Sequence, residues 1–309
     1  MNSGFLFTAA RVVVGFVFIA SALLKFISVD SFKIDIDSFE LYIYSLGWFP
    51  LTVCFYIARL LVGLEFALGL ALVTNVYRKW VDRVAYAVIF LFSLFLVYLI
   101  AVGYDGSCHC MGSHFDLPPI PSLLKNFCLA VLLFFSGRGA AYTVPYAEKF
   151  VPAISFVALV AMFIVSPPDG LAPTKQATVR PGYVEKYIKS DTTFQSMYAE
   201  QNKVLVCMFS TGCRVCRLSA KKLQLMVRKY NVPESKIYVL YHGDEHGRRV
   251  FEEQTGLNDN YHYSMLMPED FGRMVATVPV FLLFEKGMLK RSFTYRTLDE
   301  SVLLDLNGQ

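Results

Sequence analysis

Charge is scarce in this 309-residue chain: 17% of the side chains are charged, 55% are hydrophobic, and mean hydropathy is +0.45. A chain soluble throughout carries about 25% charged residues, so part of this one lies in lipid. There is no run of basic residues, and a net charge of +4 leaves no footprint for nucleic acid. Seven cysteines are too few to staple a fold of this size, which excludes a disulfide-dense scaffold. Neither a collagen repeat, a sustained heptad nor any other internal repeat is present. What the chain does have is an aromatic share of 15%, the opposite of a disordered composition. Its length leaves room for a membrane bundle and one soluble domain of about 100 to 150 residues.

A bilayer core of ~30 Å needs about 20 apolar residues in helix, and five stretches qualify. They run roughly from Phe5 to Ser28, Pro50 to Val76, Val81 to Gly103, Pro121 to Ser136 and Phe150 to Val165. The fourth is short. Arg78, Lys79 and Arg83 follow the second stretch, and Arg138 and Lys149 follow the fourth. The first long loop instead sets Lys33 among Asp30, Asp35, Asp37 and Glu40. Basic clusters mark the cytoplasmic side, so the amino terminus is expected inside, with Lys25 and Lys125 snorkelling near outer helix ends. Arg11 is expected to snorkel inward. Ala20-Ser21-Ala22 has the form of a signal-peptidase site, but the apolar run continues through Ile27, which favours a retained helix.

Four cysteines form two short-spaced pairs, Cys108 with Cys110 and Cys213 with Cys216. With five spans both pairs emerge on the outer, oxidising side. The polar stretch from Pro167-Pro168-Asp169-Gly170 to Arg180-Pro181-Gly182 reads as a tether. At about 3.3 Å per residue, its roughly 15 residues would reach some 50 Å, enough for the following domain to swing. The expected organisation is a membrane domain over 1–144, a fifth transmembrane helix over 145–167, a linker over 168–183 and an α/β domain over 184–309.

In that last domain Asp191-Thr192-Thr193 opens a helix, and Val204 to Phe209 reads as a buried strand. Cys213-Arg214-Val215-Cys216 leads into a helix reaching Tyr230. A strand from Ile237 to Tyr241, a helix from Arg248 to Gln254, strands Pro279 to Phe284 and Leu289 to Phe293, and a helix from Leu298 to Leu306 complete it. A strand, a Cys-x-x-Cys opening a helix, and a Val-Pro-Val-Phe strand about 65 residues later resemble the thioredoxin fold. The resemblance implies that Val278 and Pro279 occupy the cis-proline position facing the cysteines. Ser210-Thr211-Gly212 stands where the family usually has Trp, and Arg-Val replaces its Gly-Pro.

Two cysteines on the first helical turn are close enough to form a disulfide, with the first pointing outward. Cys213 is therefore expected to be the nucleophile, its thiolate favoured by the helix start and by Arg214, and Cys216 the resolving thiol. A structural zinc pair is the alternative, but this domain holds no second Cys-x-x-Cys. Cys207, inside an apolar strand, reads as core.

The loop before the fourth span reads Gly106-Ser107-Cys108-His109-Cys110-Met111-Gly112. Polar and small residues punctuate the first span at Arg11, Gly15, Ser21 and Lys25 and the second at Arg59, Gly63, Glu65 and Gly69, and the fourth opens Leu124-Lys125-Asn126. Together these resemble the methylamine-utilisation protein MauE family, within the wider DoxX-like group of four-helix membrane proteins, over residues 5–137. The family's Cys-Gly-Cys-Phe-Gly element is matched at Cys108, Cys110 and Gly112, with departures at His109 and Met111. The resemblance implies a bacterial inner-membrane protein, disulfide maturation of periplasmic clients and quinone-linked sulfur chemistry.

A single residue between Cys108 and Cys110 demands a tight turn on bond closure, which suits the pair to accept electrons. Ionisable groups within spans are functional candidates, so Glu65, Arg59, Lys25 and Lys125 are expected to surround a quinone headgroup, stabilise a thiolate or pin helices together. Cys54 and Cys128, in outer halves of spans, are either a second relay pair or packing. The function expected is a membrane-anchored thiol-disulfide oxidoreductase: client thiols reduce Cys213 and Cys216, which reduce Cys108 and Cys110, which reduce quinone. The alternatives are the reverse, disulfide-reducing flow, and metal handling by Cys108, His109, Cys110 and His114. Met111, Met265 and Met267 read as packing.

Overall fold

The computed structural model describes residues 3–28, 33–104, 106–112, 117–137, 142, 144–169, 178–257 and 261–308. Asp30, Arg138 and His114, each used above, lie outside them. Two compact units emerge, one of residues up to Pro168 apart from Tyr44–Thr52, the other of that short segment with Asp169–Gln309.

The first unit contains α1 (Ser3–Phe26), α2 (Ile36–Ser45), α3 (Leu51–Thr74), α4 (Arg78–Ala101), α5 (Pro119–Ser136) and α6 (Ala147–Val165). All but α2 are long and apolar enough to cross a membrane. Even α5, at 18 residues, reaches about 27 Å at 1.5 Å per residue, and its start is set by extended Pro118 followed by proline in the first turn. The α2 helix was not expected: a run of ten residues carrying Asp37, Ser38, Glu40 and Ser45 falls below the length of a span, though Ile36, Phe39, Leu41, Tyr42 and Ile43 are buried.

Large apolar side chains such as Phe16, Phe90, Phe127, Phe156 and Ile164 point outward, as a lipid-facing bundle requires. Small residues let helices meet: a Cβ at Gly15 would sit 2.8 Å from the Gly69 oxygen, and one at Gly69 would sit 2.7 Å from the Gly15 oxygen. Gly15 and Gly69 thus join α1 to α3 at backbone contact. Arg11 does not snorkel; it is 2% exposed, and its Nη1 lies 2.5 Å from Asp82 Oδ1 of α4. A carboxylate within reach replaces the water the guanidinium would otherwise seek.

The second unit runs α7 (Pro181–Ser190), α8 (Thr192–Glu200), β1 (Lys203–Ser210), α9 (Arg214–Tyr230), β2 (Ile237–His242), α10 (Glu245–Thr255), β3 (His262–Leu266), α11 (Pro268–Met274), β4 (Val280–Glu285), β5 (Met288–Phe293) and α12 (Glu300–Asn307). The sheet order is β3-β2-β1-β4-β5, with β1 parallel to β2, β2 parallel to β3, and β4 antiparallel to both β1 and β5. This is a thioredoxin-like sheet, with β1 at its centre buried on both faces. Asp191 starts α8 as expected, its Oδ1 accepting from the backbone nitrogens of Thr193 and Phe194. The β3 and α11 pair had no clear sequence signal: His-Tyr-Ser-Met-Leu is an edge strand fully buried only at Leu266.

The expected tether is shorter than its composition suggested. Asp169 accepts from Lys222 (3.0 Å) and Arg296 (3.3 Å) of this unit. At the other end, Arg180 N donates to Met274 O and Ala276 N to Thr178 O, and Pro181 begins α7. Both described ends of the 168–183 stretch are therefore held by the domain that the tether was to release, and that domain begins before residue 184. At those described ends, paired backbone and a doubly bridged carboxylate stand where free chain was expected, while residues 170–177 of the expected tether lie outside the described residues.

Candidate functional site

The Cys-x-x-Cys lies where β1 passes into α9. Thr211 N donates to His242 O of the neighbouring strand (3.0 Å) and Cys213 N donates to Ser210 O (3.1 Å), which turns the chain off the sheet edge. Cys213 then caps α9 in an extended conformation, and its Sγ accepts from the backbone nitrogen of Cys216 at 3.2 Å. A thiol at this position occupies the place of a capping oxygen, where N–H groups favour negative charge. Hydrogen bonding from the Cys216 thiol is the main cause that lowers the Cys213 thiol to about 6; burial opposes it, and the Cys216 and Val215 N–H groups and the Arg217 charge add to it. Arg217, one turn into α9, is thus a cation that contributes, and its guanidinium also donates to Thr211 O (3.2 Å).

Cys216 is fully buried, and the Cys213 hydrogen bond followed by burial pushes its thiol far up. The two cysteines therefore divide the work: a half-buried thiolate that attacks, and a buried thiol that resolves. Burial likewise holds Cys207 well above the ordinary thiol range, consistent with core packing. The Val278–Pro279 peptide bond is cis and leads directly into β4, as the fold resemblance implied.

In the membrane unit a disulfide joins Cys108 and Cys110, whose Cα atoms are 5.3 Å apart. Each end of the loop is tied down. Cys108 N donates to Leu117 O (3.1 Å), and Cys108 Sγ lies 3.0 Å from the hydroxyl of Ser122 in α5. Gly112 has φ +79° and comes so close to the end of α1 that a Cβ would stand 2.1 Å from Leu24 O. The loop sulfurs are not open to approach: Cys108 is 2% exposed and Cys110 5%, and the His109 ring stacks on Tyr42 of α2 with centroids 4.6 Å apart.

Beneath Cys110, the Lys25 ammonium donates to both oxygens of Glu65 (2.6 and 2.7 Å), and Ser21 lies within hydrogen-bond distance of Glu65. A cavity of about 30 Å³, room for a water or two, is lined by Ser21, Glu65, Cys110, Lys125, Asn126 and apolar residues of α1, α4 and α5. Lys25, Glu65 and Lys125 thus converge, but Arg59 does not join them. Arg59 is 1% exposed, pairs with Glu40, and donates to Phe55 O and Ser166 O. Its five donors satisfy the carbonyl at the end of α6 and the carboxylate of α2, so it is a clamp between helices and not a headgroup ligand.

The space beside Cys110, about 30 Å³ and half open, holds water as it stands and would have to widen for a quinone ring. The metal-handling alternative fares no better on donor chemistry: Cys108 and Cys110 have spent their thiolates on each other, and His109 Nδ1 faces Ser107 O. No disulfide joins Cys54, fully buried in α3, to Cys128, exposed on α5. Sequence reading did not identify Tyr42, Ser122 or Lys222 as partners; only Lys222 carried a signal, as a cation among buried positions of α9.

Comparison with known proteins matches residues 3–138 to the family model of methylamine utilisation protein MauE. Protein TlpB of Flavobacterium psychrophilum is 25% identical, the alignment covering 79% of this chain and 78% of that protein. Among solved structures, a secreted thiol-disulfide isomerase from Corynebacterium glutamicum is 14% identical, covers 36% of this chain and 71% of its own, and has a TM-score of 0.28. The chain is thus a multi-pass membrane protein whose residues 3–138 are similar to the MauE family and whose carboxy-terminal sheet is thioredoxin-like.

Proposed function

We propose that the protein is a membrane-bound thiol-disulfide oxidoreductase in which the Cys213–Cys216 pair exchanges electrons with the Cys108–Cys110 pair. The observation that carries this reading is the Cys213 thiolate, capped by the Cys216 nitrogen at 3.2 Å with a buried resolving thiol one turn behind it. Low-pKa first cysteines of this kind attack disulfides, and here a disulfide stands in the other domain. Five spans put the loop after the third and the domain after the fifth on one side of the bilayer. The basic residues at Arg78, Lys79 and Arg83 favour the extracytoplasmic side for both.

The step is a two-electron exchange. Cys213 thiolate attacks one loop sulfur, a mixed disulfide forms, and the second loop sulfur leaves as a thiolate. Cys216, losing its proton, then attacks Cys213 and releases the first loop sulfur. The domain dithiol is oxidised and the loop disulfide reduced. Because Cys108 and Cys110 are buried, the His109 and Tyr42 stack has to part before attack. Oxidation of thiols in extracytoplasmic client proteins is the flow we favour, because Cys213 is poised to accept electrons: a stabilised thiolate favours the reduced pair.

The test uses the full chain in detergent, oxidised and then supplied with a reduced dithiol peptide. Reduction of Cys108–Cys110 that disappears in Cys213→Ala supports the exchange; undiminished reduction in that variant refutes it. Adding a soluble quinone to the reduced protein and following its absorbance tests for onward transfer.

A further inference from the structure

The two sulfurs of the loop face different surroundings. Cys108 sits against the Ser122 hydroxyl at the start of α5, a neutral group. Cys110 lines the cavity that also holds Glu65 and Lys125, and its carbonyl accepts from Ser21 at 2.8 Å. Lys25 is consumed by Glu65, which holds it with both oxygens. Those two charges cancel. Lys125 lines the same cavity and has no hydrogen bond or ion pair among the described residues, so within them its charge is left over from that pair. With room for only a water or two in that cavity, the half-buried ammonium finds no partner among the described loop residues to offset its cost.

Such a charge is explained by an anion that forms there during turnover. We infer that Lys125 is a catalytic residue that stabilises Cys110 as the leaving thiolate when the Cys108–Cys110 bond is opened. Attack then falls on Cys108: the Cys213–Cys108 bond forms, the Cys108–Cys110 bond breaks, and its electron pair departs on Cys110 Sγ beside the Lys125 ammonium. The same stabilisation makes Cys110 the sulfur that re-forms the bond when the loop is reoxidised. This inference rests on the proposed exchange for its use, though not for its test.

The test reads the thiol itself in the reduced, full-length protein. Among the described residues, the other titratable groups facing this region are Lys25 and Glu65 across the cavity, and His109, Tyr42 and Tyr104, whose hydroxyl donates to Ser107 O, over the loop; α4 contributes Val88, Ile89 and Phe92 to the cavity lining. In Cys108→Ser, ultraviolet thiolate absorbance and alkylation rate are followed against pH with and without Lys125→Met, with Cys207, Cys213, Cys216, Cys54 and Cys128 replaced by serine or alanine. The expected result is a Cys110 titration that moves up by about 1 to 3 pH units when Lys125 becomes Met and is restored by Lys125→Arg, the range for loss of an opposite charge at close range. Cys108, read in Cys110→Ser, is expected to be insensitive to Lys125. An unchanged Cys110 titration in Lys125→Met overturns the assignment, as does a Cys108 thiol that responds more strongly. If the background of substitutions does not fold, the exchange rate of the otherwise native chain decides: Lys125→Met slows loop reduction by about tenfold or more and Lys125→Arg does not, and equal rates overturn the proposal. Absence of exchange in every form, combined with a Lys125-dependent titration, would refute the relay and leave the leaving-group assignment intact.

Discussion

The hydroxyl of Ser21, in the first transmembrane helix, lies 2.8 Å from the carbonyl oxygen of Cys110, eighty-nine positions away in sequence. Together with Gly112 against Leu24, this contact seats the disulfide loop on the end of α1. Gly112→Ala is predicted to unseat it, because a methyl 2.1 Å from the Leu24 oxygen has no room and φ +79° disfavours any side chain. Strain of this type costs about 1 to 3 kcal/mol. Thermal unfolding in detergent and alkylation of the reduced loop cysteines measure it: Gly112→Ala unfolds earlier and is labelled faster than wild type.

Lys25 and Glu65 form a buried ion pair at 2.6 Å. Removing one partner leaves a charge without compensation, so Lys25→Met or Glu65→Gln alone is expected to cost about 3 to 5 kcal/mol. The double substitution is expected to cost less than either single one, because neither charge remains. A double-mutant cycle in unfolding free energy checks this. Additive single effects would mean that the pair is not coupled.

The Cys213 thiol, held at about 6, is predicted to give an alkylation profile with its midpoint near that pH. An unfolded thiol titrates near 8.5, so the folded value is depressed and the thiolate adds stability that is complete above about pH 8.5 and is lost as pH falls through about 6. The stability difference between the reduced protein and its Cys213→Ser variant should therefore grow between those limits. Chemical unfolding at several pH values reads the sign directly.

Lys222 is fully buried, donates to Tyr295 O at 2.8 Å and pairs with Asp169 at 3.0 Å. Lys222→Ala is expected to destabilise the thioredoxin-like domain by about 3 to 5 kcal/mol. Lys203→Ala, which breaks a pair with Asp305 whose side chains are 30% and 38% exposed, is expected to cost under about 1 kcal/mol. Thermal shift of the two variants compares them.

Much of this architecture is legible in the chain because two periodicities carry it. Runs of about 20 apolar residues mark the five spans to within a few residues, and Val204 to Phe209 followed by Cys213 and Cys216 marks the centre of the sheet. Short elements are harder to read: α2 is a ten-residue helix, mostly buried but too short for a span, and β3 is an edge strand that buries little. The site follows the same division. Cys213 and Cys216 act through local spacing, whereas Glu40 and Ser166 are separated from Arg59 by 19 and 107 positions. Composition marks Arg59 as costly in lipid without indicating what satisfies it, and so it grouped with Lys25, Glu65 and Lys125 until the packing set it apart. The tether misled for a related reason, since Asp169 looks like a solvated turn residue until Lys222 and Arg296 are seen around it.

The central claim is that Cys213 and the loop sulfurs pass through a shared bond. In the Cys216→Ala protein, where the resolving thiol is gone, that intermediate should accumulate during turnover with a reduced dithiol. Mass spectrometry of the digested, thiol-blocked protein is predicted to find a peptide joining Cys213 to Cys108. Cross-links from Cys213 to other proteins alone, with Cys108 still bonded to Cys110, would contradict the account.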